Sequence, residues 1–219
     1  IDGFAKDDIM LWLLENLQNL PAKDTNINDL KHWISSHIGY IEVETFDNYD
    51  TIRDSVLSGA VGLILENQSE GIIIDARTYP ARGPEEPDLE KVTRGSRDGL
   101  VETVIFNTAL IRRRVRDSRL IFEMTTVGKR SKTDVSIGYI ADLVDEKLLE
   151  DLHKKMDNIQ VESLIMAEKS LEELLIKKKW YNPMPQVRFT ERPDVVAAHL
   201  LEGHIAIIVD TSPSVILLP

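Results

Sequence analysis

The chain has 219 residues, of which 42% are apolar and 29% charged, the balance of an ordinary soluble globular protein. At about 150 residues per domain this length makes one large domain or two small lobes. A net charge of -11 excludes a nucleic-acid binder that works by displacing counterions from phosphate, and the absence of cysteine excludes disulfide staples and thiolate chemistry and fits a reducing compartment. No segment approaches the run of about 20 apolar residues that a membrane span needs. The chain starts at Ile1 without a methionine and stops after an apolar run at Pro219, so a piece of a longer protein is expected.

In chain order, a helix is predicted over about Phe4 to Leu20, with Ile9, Leu13, Leu17 and Leu20 on one side and Pro21 after it. A second helix follows the N-cap candidate Asn26, carrying Leu30, Ile34 and Ile38. Tyr40 to Phe46 alternates as a strand does. Asp50 to Ser58 reads as a helix ended by Gly59, then strands Ala60 to Glu66 and Ile72 to Ala76 form a hairpin. The same order returns near the end: helix Asp194 to Glu202 ended by Gly203, strand Ile205 to Asp210, a turn, and strand Val215 to Leu218. Each half is therefore expected to hold its own small sheet with helices packed on it.

Between the halves, Gly99 to Asp117 is predicted helical. Val101, Val104, Ile105, Ile111 and Val115 share one face, with Phe106 and Leu110 nearly opposite, the pattern of a connecting helix covered on two sides. Arg119 to Val127 and Lys132 to Ala141 form a hairpin around Gly128. Asp142 or Asp145 caps a helix that turns Val144, Leu148, Leu152 and Met156 inward. A short strand at about Asn158 to Val161, a helix from Glu168 to Lys179 and a proline-marked exit loop complete the chain.

Thr78 to Asp98 has neither helical nor strand period, and is punctuated by Pro80, Gly83, Pro84, Pro87 and Gly95. So long an irregular segment in a small domain is functional, interfacial or solvated. Its mixed charges, Arg82, Glu85, Glu86, Asp88, Glu90, Lys91, Arg94, Arg97 and Asp98, favour a strap fixed against the two lobes by ion pairs. Arg112 falls inside an apolar stripe, where an unpaired guanidinium is costly; it needs a carboxylate, with Glu86 and Glu90 as partners in reach, or a carbonyl or an anionic ligand. An internal ion pair is the favoured reading.

The stretch Tyr79-Pro80-Ala81-Arg82-Gly83, then Glu86-Pro87, Glu90, Arg94-Gly95-Ser96-Arg97-Asp98-Gly99, Glu102, Asn107 and Leu110 to Arg114, resembles the signature of the GerA family of spore germination proteins. So do Pro185-Gln186, Thr190 to Asp194, Leu201-Glu202-Gly203 and Val209-Asp210-Thr211-Ser212-Pro213. Ser96 stands where the family has proline and Leu100 where it has an aromatic residue. The matches begin near Ile52; the first fifty residues carry none.

The resemblance implies an α/β (α+β) fold of two subdomains, each a small mixed sheet with flanking helices, joined by connecting helices and similar in outline to substrate-binding proteins. The expected division is 1–95 and 96–219, with a membrane domain after residue 219. It implies the non-catalytic amino-terminal domain of a germinant-receptor A subunit, on the spore-core side of the spore inner membrane. Its partners would be B and C subunits, further copies of itself, and a small nutrient such as an amino acid, a sugar or an ion. That domain would take part in nutrient sensing, signal transduction and ion-channel gating. The alternatives are a purely structural oligomerisation or scaffold domain, including a SpoVAF-like relative, and, more remotely, a hydrolase.

Candidate ligand-binding, interlobe or interface residues are Arg82, Glu86, Glu90, Arg94, Arg97, Asp98, Glu102, Asn107, Arg112 and Arg113. No cofactor is expected and no metal site, because His32 and His37 miss the helix-face interval and His199 and His204 straddle a helix end. Ser96 between two arginines lacks an identifiable base. The basic cluster from Arg112 to Arg119 lies beside many acids, so pairing between lobes or subunits is favoured over nucleic acid.

Overall fold

The computed structural model describes residues 7–18, 43–64, 69–77, 82–87, 90–176 and 186–219. The predicted second helix, 27–38, lies outside them. The chain divides into two compact units, Ile1–Pro80 and Ala81–Pro219.

In the first unit, helix α1 (Asp7–Gln18) buries Leu13. Strand β1 (Val43–Phe46), helix α2 (Tyr49–Leu57) and strands β2 (Val61–Ile64) and β3 (Gly71–Ile74) form an antiparallel three-stranded sheet, order β1-β3-β2, with a helix on one face. Asn48 caps α2 by accepting from Asp50 N–H at 2.9 Å. The helix lies close to the sheet because Gly71 lacks a side chain: a Cβ there would sit 2.4 Å from Ile52 Cδ1. Ile52, Ala60 and Ile73 make the core on this face, while Ile72 and Ile74 of the other face are also fully buried.

The second unit is three-layered. Helix α3 (Val104–Arg114) precedes strands β4 (Leu120–Val127) and β5 (Thr133–Ile140). Helices α4 (Glu146–Asp157) and α5 (Ala167–Leu175), strand β6 (Arg188–Thr190), helix α6 (Pro193–Leu201) and strands β7 (Ile205–Val209) and β8 (Val215–Leu218) follow. The five strands run β4-β5-β7-β8-β6, every neighbour antiparallel. One face takes α4 and α5, with Leu152, Met156, Leu171 and Leu175 against Val135, Ile137, Ile207 and Ile216. The other takes α3 and α6, with Val104, Ile111, Val196 and Leu200 against Ile140, Ala206, Ile208 and Val215. Strand β7 is covered on both faces, which is why Ile205 to Val209 reads as an unbroken apolar run.

Each half does hold its own sheet with helices packed on it, and both repeat helices end on a left-handed glycine, Gly59 at φ +107° and Gly203 at φ +89°. Both sheets are antiparallel rather than mixed. Five other expectations change. Residues 81–95 belong to the second unit, so the boundary lies at Pro80 and not after residue 95. The helix expected from Gly99 to Asp117 is confined to Val104–Arg114, because hydrogen bonds to Glu191, Asn107 and Thr211 occupy the backbone of 100–102 and Thr103 is extended. Its expected two-sided burial fails: Ile105 and Phe106 are 61% and 52% exposed. Asn158 to Val161 is no strand; Val161 and Glu162 instead accept from Lys129 and Arg130 N–H of the β4–β5 turn, each at 2.9 Å. Residues 188–190, read as exit loop, pair with β8.

Candidate functional site

The segment before α3 is held by backbone hydrogen bonds at Leu100, Val101 and Glu102. Leu100 N–H donates to Glu191 O at 2.8 Å. Asn107, fully buried one turn into the helix, accepts from Val101 N–H at 2.8 Å and donates to Val101 O at 2.6 Å, doing with one amide what a neighbouring strand would do. The helix starts without help from Thr103, whose side chain makes no cap bond. Asp210 Oδ1, in the β7–β8 turn, accepts from Val104 N–H at 2.9 Å instead, and Thr211 N–H donates to Glu102 O at 2.7 Å.

The irregular segment is tied down onto this frame. Gly99 N–H donates to Glu85 O at 2.7 Å, and a Cβ at Gly99 would stand 2.7 Å from that oxygen. Arg82 Nε lies 3.1 Å from Glu102, in an exposed pair. Glu90 accepts from Thr190 Oγ1 at 2.5 Å and from Glu191 N–H at 3.1 Å. Asp98 accepts from Arg114 Nη2 at 2.5 Å, and Ser96 bridges the two by donating to Asp98 and accepting from Arg114. Burial pushes the Asp98 carboxyl upward, but the hydrogen bonds from Arg114 and Ser96 outweigh it and leave the group below the usual carboxylate range. Asp194 behaves alike beside Arg192, at 2.5 Å. Each of these ties ends within the second unit.

The ten candidates therefore separate. Arg82, Glu90, Asp98, Glu102 and Asn107 are in ties, while Glu86, Arg94, Arg97 and Arg113 are exposed and join none of them. Arg112 pairs with neither Glu86 nor Glu90. It donates to the carbonyls of Asp117 at 3.0 Å and Leu120 at 2.7 Å, with its guanidinium 5.3 Å from the Phe122 ring centroid. Phe122 in turn lies over Gly138, where a Cβ would come within 2.6 Å of the ring. Arg114, which the helical wheel did not single out, holds the strap. Helical phase could not reveal this, because its partner lies in a segment without periodicity. Ser96 is a poor nucleophile here: its neighbouring carboxylate is bound to arginine and is a weaker base for it.

Two further features stand apart from the strap. The first unit contains a cavity of about 480 Å3 whose lining includes Val43, Phe46 and Ile73 and the polar groups of Glu44, Asp75 and Arg77. At the end of α6, Gly203 reverses the chain so that His199, Glu202 and His204 converge, with ligand-capable atoms within 4.8 Å of one another. Helical spacing alone conceals that cluster.

Residues 1–219 match the sequence family described as Bacillus/Clostridium GerA spore germination protein. The chain belongs to the GerA family. GerA relatives include Stage V sporulation protein AF of Bacillus subtilis strain 168, 47% identical over 100% of this chain and 44% of its own length. Spore germination protein GerLA of Bacillus cereus is 31% identical over 98% of this chain and 43% of its own length. The chain thus spans less than half the length of these relatives. A solved structure, the N-terminal domain of the A subunit of the Bacillus megaterium spore germinant receptor GerK3, is 36% identical, covers 55% of this chain and 94% of its own, and superposes with a TM-score of 0.44. Of the residues that carry the GerA resemblance, Arg82, Glu90, Asp98, Glu102, Asn107, Arg114, Thr190 and Asp210 tie the strap or the start of α3, whereas Glu86, Arg94, Arg97 and Arg113 do not. Among the described residues no helix is long and apolar enough to cross a membrane.

Proposed function

We propose that this chain is the amino-terminal domain of a spore germination protein of the A-subunit type, non-catalytic and acting by relaying a conformational signal. The observation that carries the reading is the concentration of GerA signature residues on one braced frame: the strap, the start of α3 and the β7–β8 turn. Ser96 meets a carboxylate, Asp98, but that group is bound to Arg114, so these residues fix geometry. A braced frame passes on a displacement instead of absorbing it, as a two-state receptor requires. In the complete protein the domain would sit in the spore inner membrane assembly with B and C subunits and further copies of itself. The exposed Arg94, Arg97 and Arg113 are then surface contacts and not internal braces. A nutrient has a candidate place in the cavity of the first unit, whose polar lining is Glu44 and the mutually paired Asp75 and Arg77.

A second reading, a positioning domain of the Stage V sporulation protein AF kind, is favoured by the 47% identity to that protein against 31% to GerLA. Chimeras separate the two. This chain replaces the corresponding segment of Spore germination protein A1 or of Stage V sporulation protein AF in Bacillus subtilis, and nutrient-triggered loss of spore refractility is followed. Receptor function predicts a responsive A1 chimera in which Arg97→Glu shifts the nutrient threshold while complex levels persist. If only the AF chimera is active, or complex and response fall together, the sensor reading is wrong.

A further inference from the structure

We propose that His199, Glu202 and His204 form a binding site for a divalent transition-metal ion of the zinc, cobalt or nickel kind. The inference goes beyond the receptor reading and does not rest on it. Two imidazoles and one carboxylate are the donor set these ions prefer over magnesium or calcium, which favour oxygen ligands alone.

The fold brings the three groups together by its chain reversal. His199 lies in the last turn of α6, and Gly203, at φ +89°, turns the backbone so that His204 returns over it. The two rings meet edge-on with centroids 4.7 Å apart. His199 Nδ1 lies 3.2 Å from Glu202 Oε2, and His204 Nδ1 lies 4.0 Å from the same oxygen. Ligand atoms held at 2.0–2.1 Å around a tetrahedral ion stand about 3.3 Å apart. One edge of the triangle already has that length, the three donor atoms all lie within 4.8 Å of one another, and the second edge closes by a small turn of the Glu202 side chain, which is 62% exposed.

His199 Nδ1 is shielded from solvent and makes no hydrogen bond of acceptable geometry despite the nearby Glu202 oxygen. A shielded nitrogen left so is costly, and a metal would satisfy it. The location helps as well: the carbonyl end of a helix favours positive charge. Two present contacts oppose metal binding and must yield. His204 Nδ1 lies 3.2 Å from His199 O, and the exposed Arg188 places Nη1 3.1 Å from His199 Nε2. Arg188 is thus a competitor for the site: a cation beside the ion, favouring the tautomer that keeps a proton on Nδ1.

The test titrates the purified 219-residue chain with zinc by calorimetry and with cobalt by its visible absorption. Binding of one ion per chain is expected, with tetrahedral-type cobalt bands. His199→Ala and His204→Ala should each weaken it by about a hundredfold, and the exposed Glu202→Gln by about tenfold, with helix content unchanged. Arg188→Ala should tighten it several-fold, an effect that a merely structural role for the histidines would not produce. His153→Ala, remote at Glu123, should leave binding unchanged. No binding at millimolar metal overturns the proposal. So does binding that survives the His199→Ala/His204→Ala pair, which would then belong to His32 or His37, or a loss of binding in Arg188→Ala.

Discussion

Asp210 Oδ1 accepts the N–H of Val104 at 2.9 Å across 106 positions of sequence, so helix α3 is capped from the β7–β8 turn. An N-cap is ordinarily local, and supplying it from another element makes the start of the helix depend on the sheet being formed. Asp210→Ala should lower stability by about 1–2 kcal/mol, because the first helical N–H loses its acceptor. Asp210→Asn, which keeps an acceptor of the same shape, should recover most of that. Urea unfolding followed by circular dichroism measures both; equal stability of Asp210→Ala and the parent would show that the cap is idle.

Thr211 follows that cap with φ +68°, a backbone region that β-branched residues rarely adopt. Its N–H is fixed on Glu102 O, so the strained conformation is held by the same frame that caps α3. Thr211→Gly should therefore raise stability by about 1 kcal/mol and Thr211→Val should not. A drop in melting temperature for the glycine variant would mean that the side chain contributes more than the strain costs.

Much of the frame's periodic material was legible in the sequence. The helix–glycine–strand–hairpin order around Gly59 and Gly203, the β4–β5 hairpin and the inward Leu148, Leu152 and Met156 of α4 follow from hydrophobic period and turn chemistry. What was not legible is tertiary. Val101 lies on the apolar face of a helical wheel, yet Asn107 and Glu191 capture the backbone there and keep it out of the helix. Arg112 is expected to meet a carboxylate, a carbonyl or an anionic ligand, with an ion pair favoured; two carbonyls and an aromatic face satisfy it, and no pattern of side chains encodes the direction of a backbone carbonyl. The strap could be recognised as fixed, but its true clasp at Arg114 depended on how the loop returns to α3. His199 and His204 straddle a helix end, where helical spacing ceases to apply, so their meeting depends on the turn at the glycine between them.

Asn107 is fully buried and spends both ends of its amide on Val101. Asn107→Leu fills the space but leaves a backbone N–H and a carbonyl without partners. It should cost about 2–4 kcal/mol, at the upper end for a single substitution. Asn107→Asp keeps the acceptor and loses the donor to Val101 O, and should also destabilise. Hydrogen exchange offers the sharper reading: the Val101 amide should lose protection in the leucine variant more than amides of β7 do. Uniform loss across the sheet would argue against a local role.

Asp98 links the strap to acid sensitivity. Its carboxyl is held below the usual range by Arg114 and Ser96, against the upward push of burial. A group with a depressed pKa contributes stability that is complete above its unfolded value, near 4, and is lost as pH falls through the folded value. The parent chain should therefore exceed Asp98→Asn by about 1–2 kcal/mol at pH 7, discounted for partial exposure, and the gap should close as the pH falls below about 4. Asp194, depressed beside Arg192, and Asp117, lowered to about 2 chiefly by its hydrogen bond from Arg119, lean the same way, so both chains should still lose stability in acid. The signal is the difference between them, read from melting temperatures between pH 7 and 2. A difference that stays constant over that range would show that the Asp98–Arg114 clasp is not what the ionised carboxylate stabilises.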